Sequence, residues 1–157
     1  MSENLFLKSN YREKIFKSIL DSELRDTLEY KYSDLPFYFL KFWFEDLYNK
    51  PLNILANEKI FEPLGLKRTM FNPHESISLE EIVPSERDDF FRHSKLHGYV
   101  HDEGAAMLGG ISGHAGLFSN AYEVAIVLQA MIQKGSYNNQ RLFSENSFNT
   151  FNYCYYC

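Results

Sequence analysis

Tyr32-Ser33-Asp34-Leu35-Pro36-Phe37-Tyr38-Phe39-Leu40-Lys41-Phe42-Trp43-Phe44-Glu45-Asp46-Leu47-Tyr48 is the stretch on which the fold turns. Ser33 or Asp34 can cap a helix, and Pro36 is tolerated in its first turn because the missing N–H has no partner there anyway. From Leu35 the residues are apolar on most sides, so the spacing predicts a central helix over 34–48. Asn49-Lys50-Pro51 breaks it. Upstream, Tyr11, Ile15, Phe16, Ile19 and Leu20 share one face, which predicts an amphipathic helix over about 10–24. Glu29 to Tyr32 alternates and suits an extended approach to the turn.

Downstream, a third helix is expected over about 51–61, stopped by Glu62-Pro63-Leu64-Gly65-Leu66, with a short strand from Arg68 to Phe71. From 72 to 116 no period is sustained, and glycines and histidines gather in what reads as one long loop region. Order returns with Asn120 and Glu123, a capping-box-like start to a helix over about 121–134. Gly135 stops it, and Ser144 can cap a last helix that the chain cuts short. No internal repeat or low-complexity tract is present.

The 157 residues fit one domain or a piece of one, with 45% hydrophobic and 24% charged residues. A net charge of -5 gives no reason to expect nucleic acid or an anionic membrane as a partner. The first residues hold no long apolar run behind a basic start, so no signal peptide is read, and no stretch approaches the roughly 20 apolar residues of a membrane span. Aromatic residues make up 17% of the chain, which predicts uncovered aromatic surface and self-association. Cys154 and Cys157, at the end of the chain and without a second pair, read as an unpaired terminus, neither a redox motif nor a zinc site.

Four segments, in this order, resemble the β-lactamase-related serine hydrolases and penicillin-binding proteins. They are Tyr32-Ser33-Asp34, the run Ile60 to Thr69 around Pro63-Leu64-Gly65-Leu66, Gly98-Tyr99-Val100-His101-Asp102-Glu103, and Gly109-Gly110-Ile111-Ser112-Gly113-His114-Ala115-Gly116-Leu117-Phe118-Ser119. The last two look closest to a subgroup fused to a family 3 β-N-acetylglucosaminidase. The resemblance implies a mainly α fold with short β segments. It corresponds to the incomplete helical portion of the α/β β-lactamase or transpeptidase-like architecture, as a single partial domain over 1–157.

It also implies amide or ester hydrolysis through an acyl-serine, with a small-molecule or peptide substrate and a periplasmic or envelope location. Such enzymes need Ser-x-x-Lys, and no lysine here has a serine three residues earlier. That motif, and a Lys/His-Thr-Gly motif, are expected outside this sequence, so the chain itself reads as inactive or as a non-catalytic truncated domain. Tyr32 then takes the catalytic proton-shuttle position, although a phenol with a pKa of about 10 acts as a base only beside positive charge. Asp34, where many relatives have Asn, accepts hydrogen bonds without donating them. It repels a substrate carbonyl and favours an amine-bearing or ester substrate. His101 and Asp102 pin the long loop beside the substrate, and His114 between glycines marks a turn. His93 and His97 have helical spacing, but Ser94 stands where a zincin pattern needs Glu, so neither metal nor cofactor is assigned.

Overall fold

The computed structural model of the protein describes residues 1–26 and 29–155. Its helices are α1 (Tyr11–Leu20), α2 (Leu35–Tyr48), α3 (Leu52–Ala56), α4 (Glu62–Leu64), α5 (Glu103–Met107), α6 (Ala121–Ile132) and α7 (Glu145–Phe151). The strands are β1 (Met70–Phe71), β2 (Glu86–Asp88), β3 (Ser94–Leu96), β4 (Leu117–Phe118), β5 (Ser136–Tyr137) and β6 (Gln140–Arg141). The chain divides into two compact units, Met1–Leu52 with Phe71–Leu117, and Asn53–Met70 with Phe118–Cys157. Among the described residues no helix is long and apolar enough to cross a membrane.

In the first unit α1 is shorter than its periodicity suggested. Ser22 turns back on it, its hydroxyl donating to the Ile19 carbonyl at 2.7 Å, while the Asp21 amide bonds Lys17 O. The α1 residues Arg12 and Phe16 reach α2 through an ion pair with Glu45 and a ring contact with Phe42 at 4.7 Å. α2 stops at Asn49, which takes the left-handed conformation that ends helices.

The expectation that α2 is central is corrected. Its one buried residue is Lys41, while Trp43 and Leu47 are 50% and 58% exposed. Lys41 survives burial because both oxygens of Glu45, one helical turn on, lie 2.9 Å from its ammonium. Burial pulls the Lys41 pKa down and Glu45 opposes that pull. Glu45 also accepts the Leu52 amide, closing the turn after α2.

The expected loop over 72–116 contains structure. β2 and β3 pair antiparallel, Glu86 with Leu96 and Asp88 with Ser94, and α5 follows. Strands of three residues leave no readable alternation, so side chains hold the hairpin instead. Asp88 accepts the amides of Phe90, Phe91 and Arg92, and its second oxygen takes Arg92 Nε at 2.6 Å. The Arg92 guanidinium is fully buried and donates onward to the carbonyls of Val100, at 2.6 Å, and His101. The Arg92 hydrogen bond and the three amides hold the Asp88 carboxyl well below the usual carboxylate range. Val100 packs with Ala105 and Ala106 in this unit's small core.

In the second unit the helical path of α3 runs through a π-helical turn, Asn57–Phe61, into α4, past the expected end at 61, and ends at left-handed Gly65, within the expected stop. Pro63 has no N–H for the regular ladder, and the π turn sits just before it. Phe61, Leu64, Leu66, Ile126 and Ala130 form the core. Asn120 caps α6 by accepting the Glu123 amide, as half of a capping box does. The Glu123 carboxylate does not complete the box. It accepts the Lys67 and Arg68 amides at 2.8–3.0 Å and the Thr69 hydroxyl at 2.6 Å. Ser144 caps α7, which ends at Phe151, short of the end of the chain. The unpaired reading of the cysteines is also corrected, since Cys154 is disulfide-bonded; Cys157 lies outside the described residues.

Two outcomes follow for stability. Arg92→Met leaves Asp88 and two carbonyls without their donor and is expected to cost about 3–5 kcal/mol, read by urea denaturation. Burial pushes the Glu123 carboxyl up, but the Thr69 hydroxyl and the amides of Lys67 and Arg68 outweigh it and hold it below its usual value. A depressed carboxylate stabilises the fold above its unfolded pKa and loses that contribution as acid protonates it. Stability should therefore fall on acidification below the usual glutamate range, and Glu123→Gln should flatten that fall. Glu123→Ala should cost about 2–4 kcal/mol at neutral pH by orphaning buried amides.

Candidate functional site

Asp34 occupies the N-cap position of α2, yet its side chain makes no capping bond; the Ser33 hydroxyl accepts the Leu35 amide at 3.2 Å instead. The Asp34 carboxylate is thereby free for other partners. The phenol of Tyr32, two residues earlier and 72% exposed, feels that carboxylate. Asp34, foremost through side-chain hydrogen bonding and then through its charge, raises the Tyr32 pKa, because removing the proton would set two anions side by side.

Asp102 is the N-cap of α5, where Oδ1 accepts the Ala105 amide at 2.6 Å. The same oxygen takes Nε2 of His114 at 2.9 Å, and Nδ1 of that ring lies 3.0 Å from the Ser112 hydroxyl. A carboxylate only accepts, so in the neutral ring Nε2 carries the proton and Ser112 donates to Nδ1. Burial pushes the Asp102 carboxyl up, but the Ala105 amide and His114 more than cancel this and it lies below its ordinary value. One donor atom from each of Asp34, Asp102 and His114 lies within 4.8 Å of the others.

The first turn of α2 shapes this cluster. The Tyr38 ring lies against His114, centroids 4.3 Å apart, and its pKa is pushed up to about 12 by burial and by the charges of Asp102, Asp34 and Glu103. Two glycines let the segments meet. A side chain at Gly104 would fall 1.7 Å from the Tyr38 hydroxyl, and one at Gly113 would fall 2.6 Å from the Phe37 carbonyl oxygen.

Of the residues singled out from sequence, Tyr32, Asp34 and Asp102 come together here. His101 is not in this cluster: its Nδ1 meets Glu86 at 2.7 Å and its side chain is 69% exposed. His93 and His97 do not share a helix, because β3 lies between them, and His97 Nε2 bonds the Ile82 carbonyl. The sequence reading gives His114 only as a turn marker and misses Ser112 and Tyr38. Ser112 and His114 are two apart around a glycine, and Tyr38 is one helical turn past Asp34. Those spacings were available signals. Ser112 is only 3% exposed, so its hydroxyl serves the His114 ring and is closed to solvent.

The chain is similar to a protein named "Putative D-alanyl-D-alanine carboxypeptidase" from Salmonella gallinarum, 36% identical over 152 residues, covering 89% of this chain and 35% of that one. An identically named protein of Escherichia coli is 37% identical over 81% of the chain and 33% of its own length. "N-acetylmuramyl-L-alanine amidase" of Bacillus subtilis is 39% identical over 76% and 30%. The chain thus spans about a third of the length of these curated relatives. No family model matches, and no solved structure matches.

These findings correct the β-lactamase and penicillin-binding-protein resemblance, including its glycosidase-fused subgroup. The relatives are named for peptidoglycan bonds, a carboxypeptidase and an amidase. The residues that carried the resemblance have local backbone reasons of their own. Asp102 caps a helix, Gly65 ends one, and Gly109 and Gly110 take positive φ. Such residues follow backbone geometry and do not by themselves specify a reaction.

The close approach at Gly113 yields a direct test. Gly113→Ala must push the α2 backbone or the 112–114 loop aside, at about 1–3 kcal/mol. It should break the Ser112–His114–Asp102 chain, seen by NMR as a His114 ring freed from its fixed tautomer. An unchanged His114 signal would refute the packing described.

Proposed function

We propose that this chain works within a peptidoglycan-acting hydrolase that cleaves an amide bond beside an alanyl residue. What carries the reading is that the relatives' two names, from distant bacteria, share one chemistry: an amide bond next to alanine in a cell-wall peptide. The cluster on the first unit supports it. Tyr32 presents an exposed phenol whose proton Asp34 helps retain, which suits donation to a departing amine more than abstraction of a proton. Asp34 and Asp102 offer carboxylates to an amine-bearing substrate.

In this reading the reaction passes through an acyl-serine, and the attacking serine is not among these 157 residues. No lysine follows a serine at the needed spacing, and Ser112, the serine bonded to a histidine, is buried. The isolated chain is then a binding partner to the chemistry without performing it.

The test is to titrate the chain with a muramyl pentapeptide while following Tyr32 and Asp34 by NMR, and to treat it separately with a fluorophosphonate. The expected result is perturbation of both residues, no released D-alanine and no label. Asp34→Asn should weaken peptide binding by about tenfold or more, the loss of one charge-assisted hydrogen bond. Labelling of the chain would overturn the placement of the nucleophile, and an unperturbed Tyr32 and Asp34 would overturn the site.

A further inference from the structure

We propose that Asp34, Asp102 and His114 form a binding site for a divalent transition metal of the zinc class. The proposal goes beyond the hydrolase reading and does not depend on it. The three side chains come from separate segments, the approach to α2, the cap of α5 and the glycine-rich loop before β4, yet their donor atoms converge within 4.8 Å. Two carboxylates at this separation offer a cation more negative charge than either does alone. Their donor set, two carboxylate oxygens and one imidazole nitrogen, combines ligand types that zinc accepts at about 2.0–2.2 Å.

Two independent features suit these side chains to ligation. Asp34 stands at a helix N-cap without serving the helix, its carboxylate left outside the backbone hydrogen bonding that such a residue ordinarily makes. His114 is held from behind by a buried hydroxyl, Ser112, at 3.0 Å from Nδ1, the kind of outer partner that orients metal-ligating histidines. A serine hydroxyl both donates and accepts. Without metal it donates to Nδ1 while Nε2–H bonds Asp102. With metal the ring proton sits on Nδ1 and is donated to Ser112, and the Nε2 lone pair faces the ion.

The geometry needs little adjustment. Donors around a tetrahedral zinc at about 2.0–2.2 Å lie about 3.3 Å apart. The Asp102 to His114 distance is already 2.9 Å, so the remaining closure is a movement of Asp34, whose carboxylate is not tied to its helix.

Calorimetric titration of the untagged, disulfide-intact chain with zinc chloride tests this. The expected result is one equivalent bound in the micromolar range with a raised melting temperature. Asp34→Asn, which removes a ligand charge without disturbing a cap, should weaken binding by about tenfold or more. Ser112→Ala should weaken it by about 10–100-fold. Tyr32→Phe should leave it unchanged. Nitrogen NMR of the His114 ring should show the proton moving from Nε2 to Nδ1 as zinc is added. Absence of binding at millimolar zinc would overturn the proposal. So would equal affinity in Asp34→Asn, or binding lost on His93→Gln and retained in Asp34→Asn. Should His114→Gln fail to fold, Asp34→Asn still decides the question.

Discussion

The guanidinium of Arg92 is buried with Asp88 as its counter-ion, and the hairpin and the approach to α5 are held by that pair. A buried charge is tolerated only when its hydrogen-bonding capacity is spent, and Arg92 spends it on two kinds of partner. Toward the hairpin it binds Asp88, which has already gathered three amides at the tip between β2 and β3. Toward α5 it binds the carbonyls of Val100 and His101. The next residue is Asp102. The carboxylate that caps α5 and meets His114 is therefore positioned by a side chain ten residues away. Val100, Ala105 and Ala106 form the small apolar cluster of this segment.

Glu123 performs the same task in the second unit, its carboxylate joining α6 to the amides of Lys67 and Arg68 and to Thr69. Both units need this device for one reason. Their apolar cores are small, and irregular backbone brought into a fold must still find partners for its amides and carbonyls. Charged side chains buried beside loops supply them. Such a fold draws much of its order from ionised carboxylates, and those carboxylates tie its stability to pH.

The legibility of the sequence follows from where the information resides. α2, α6 and α7 could be read because start and stop signals are local: Pro36 and Asn49, Asn120 and Gly135, Ser144. The hairpin could not, because its cause is a contact between Asp88 and an arginine that local propensity does not reveal. The burial of α2 was misjudged because apolar composition shows what a face could bury and not what the remaining chain provides to cover it. Lys41, the residue a pattern would place in solvent, is the one that Glu45 carries inside. At the site, Tyr32, Asp34 and Asp102 were visible as residue types. His114 was set aside as a turn marker, since its role depends on Ser112 behind it and on the close passage of Phe37 at Gly113.

Electrostatics narrows what the cluster can do. A phenol next to a carboxylate holds its proton more firmly, and Tyr32 is in that position, with Tyr38 pushed the same way by burial and three nearby acids. In the proposed function Tyr32 therefore starts from the protonated ring, and would give a proton or a hydrogen bond before taking one. For it to act as a base, positive charge must first reach Asp34 and Asp102. A metal ion or the amine of a peptide would each bring that charge to the same place, and the protonation state of Tyr32 would follow whichever arrives.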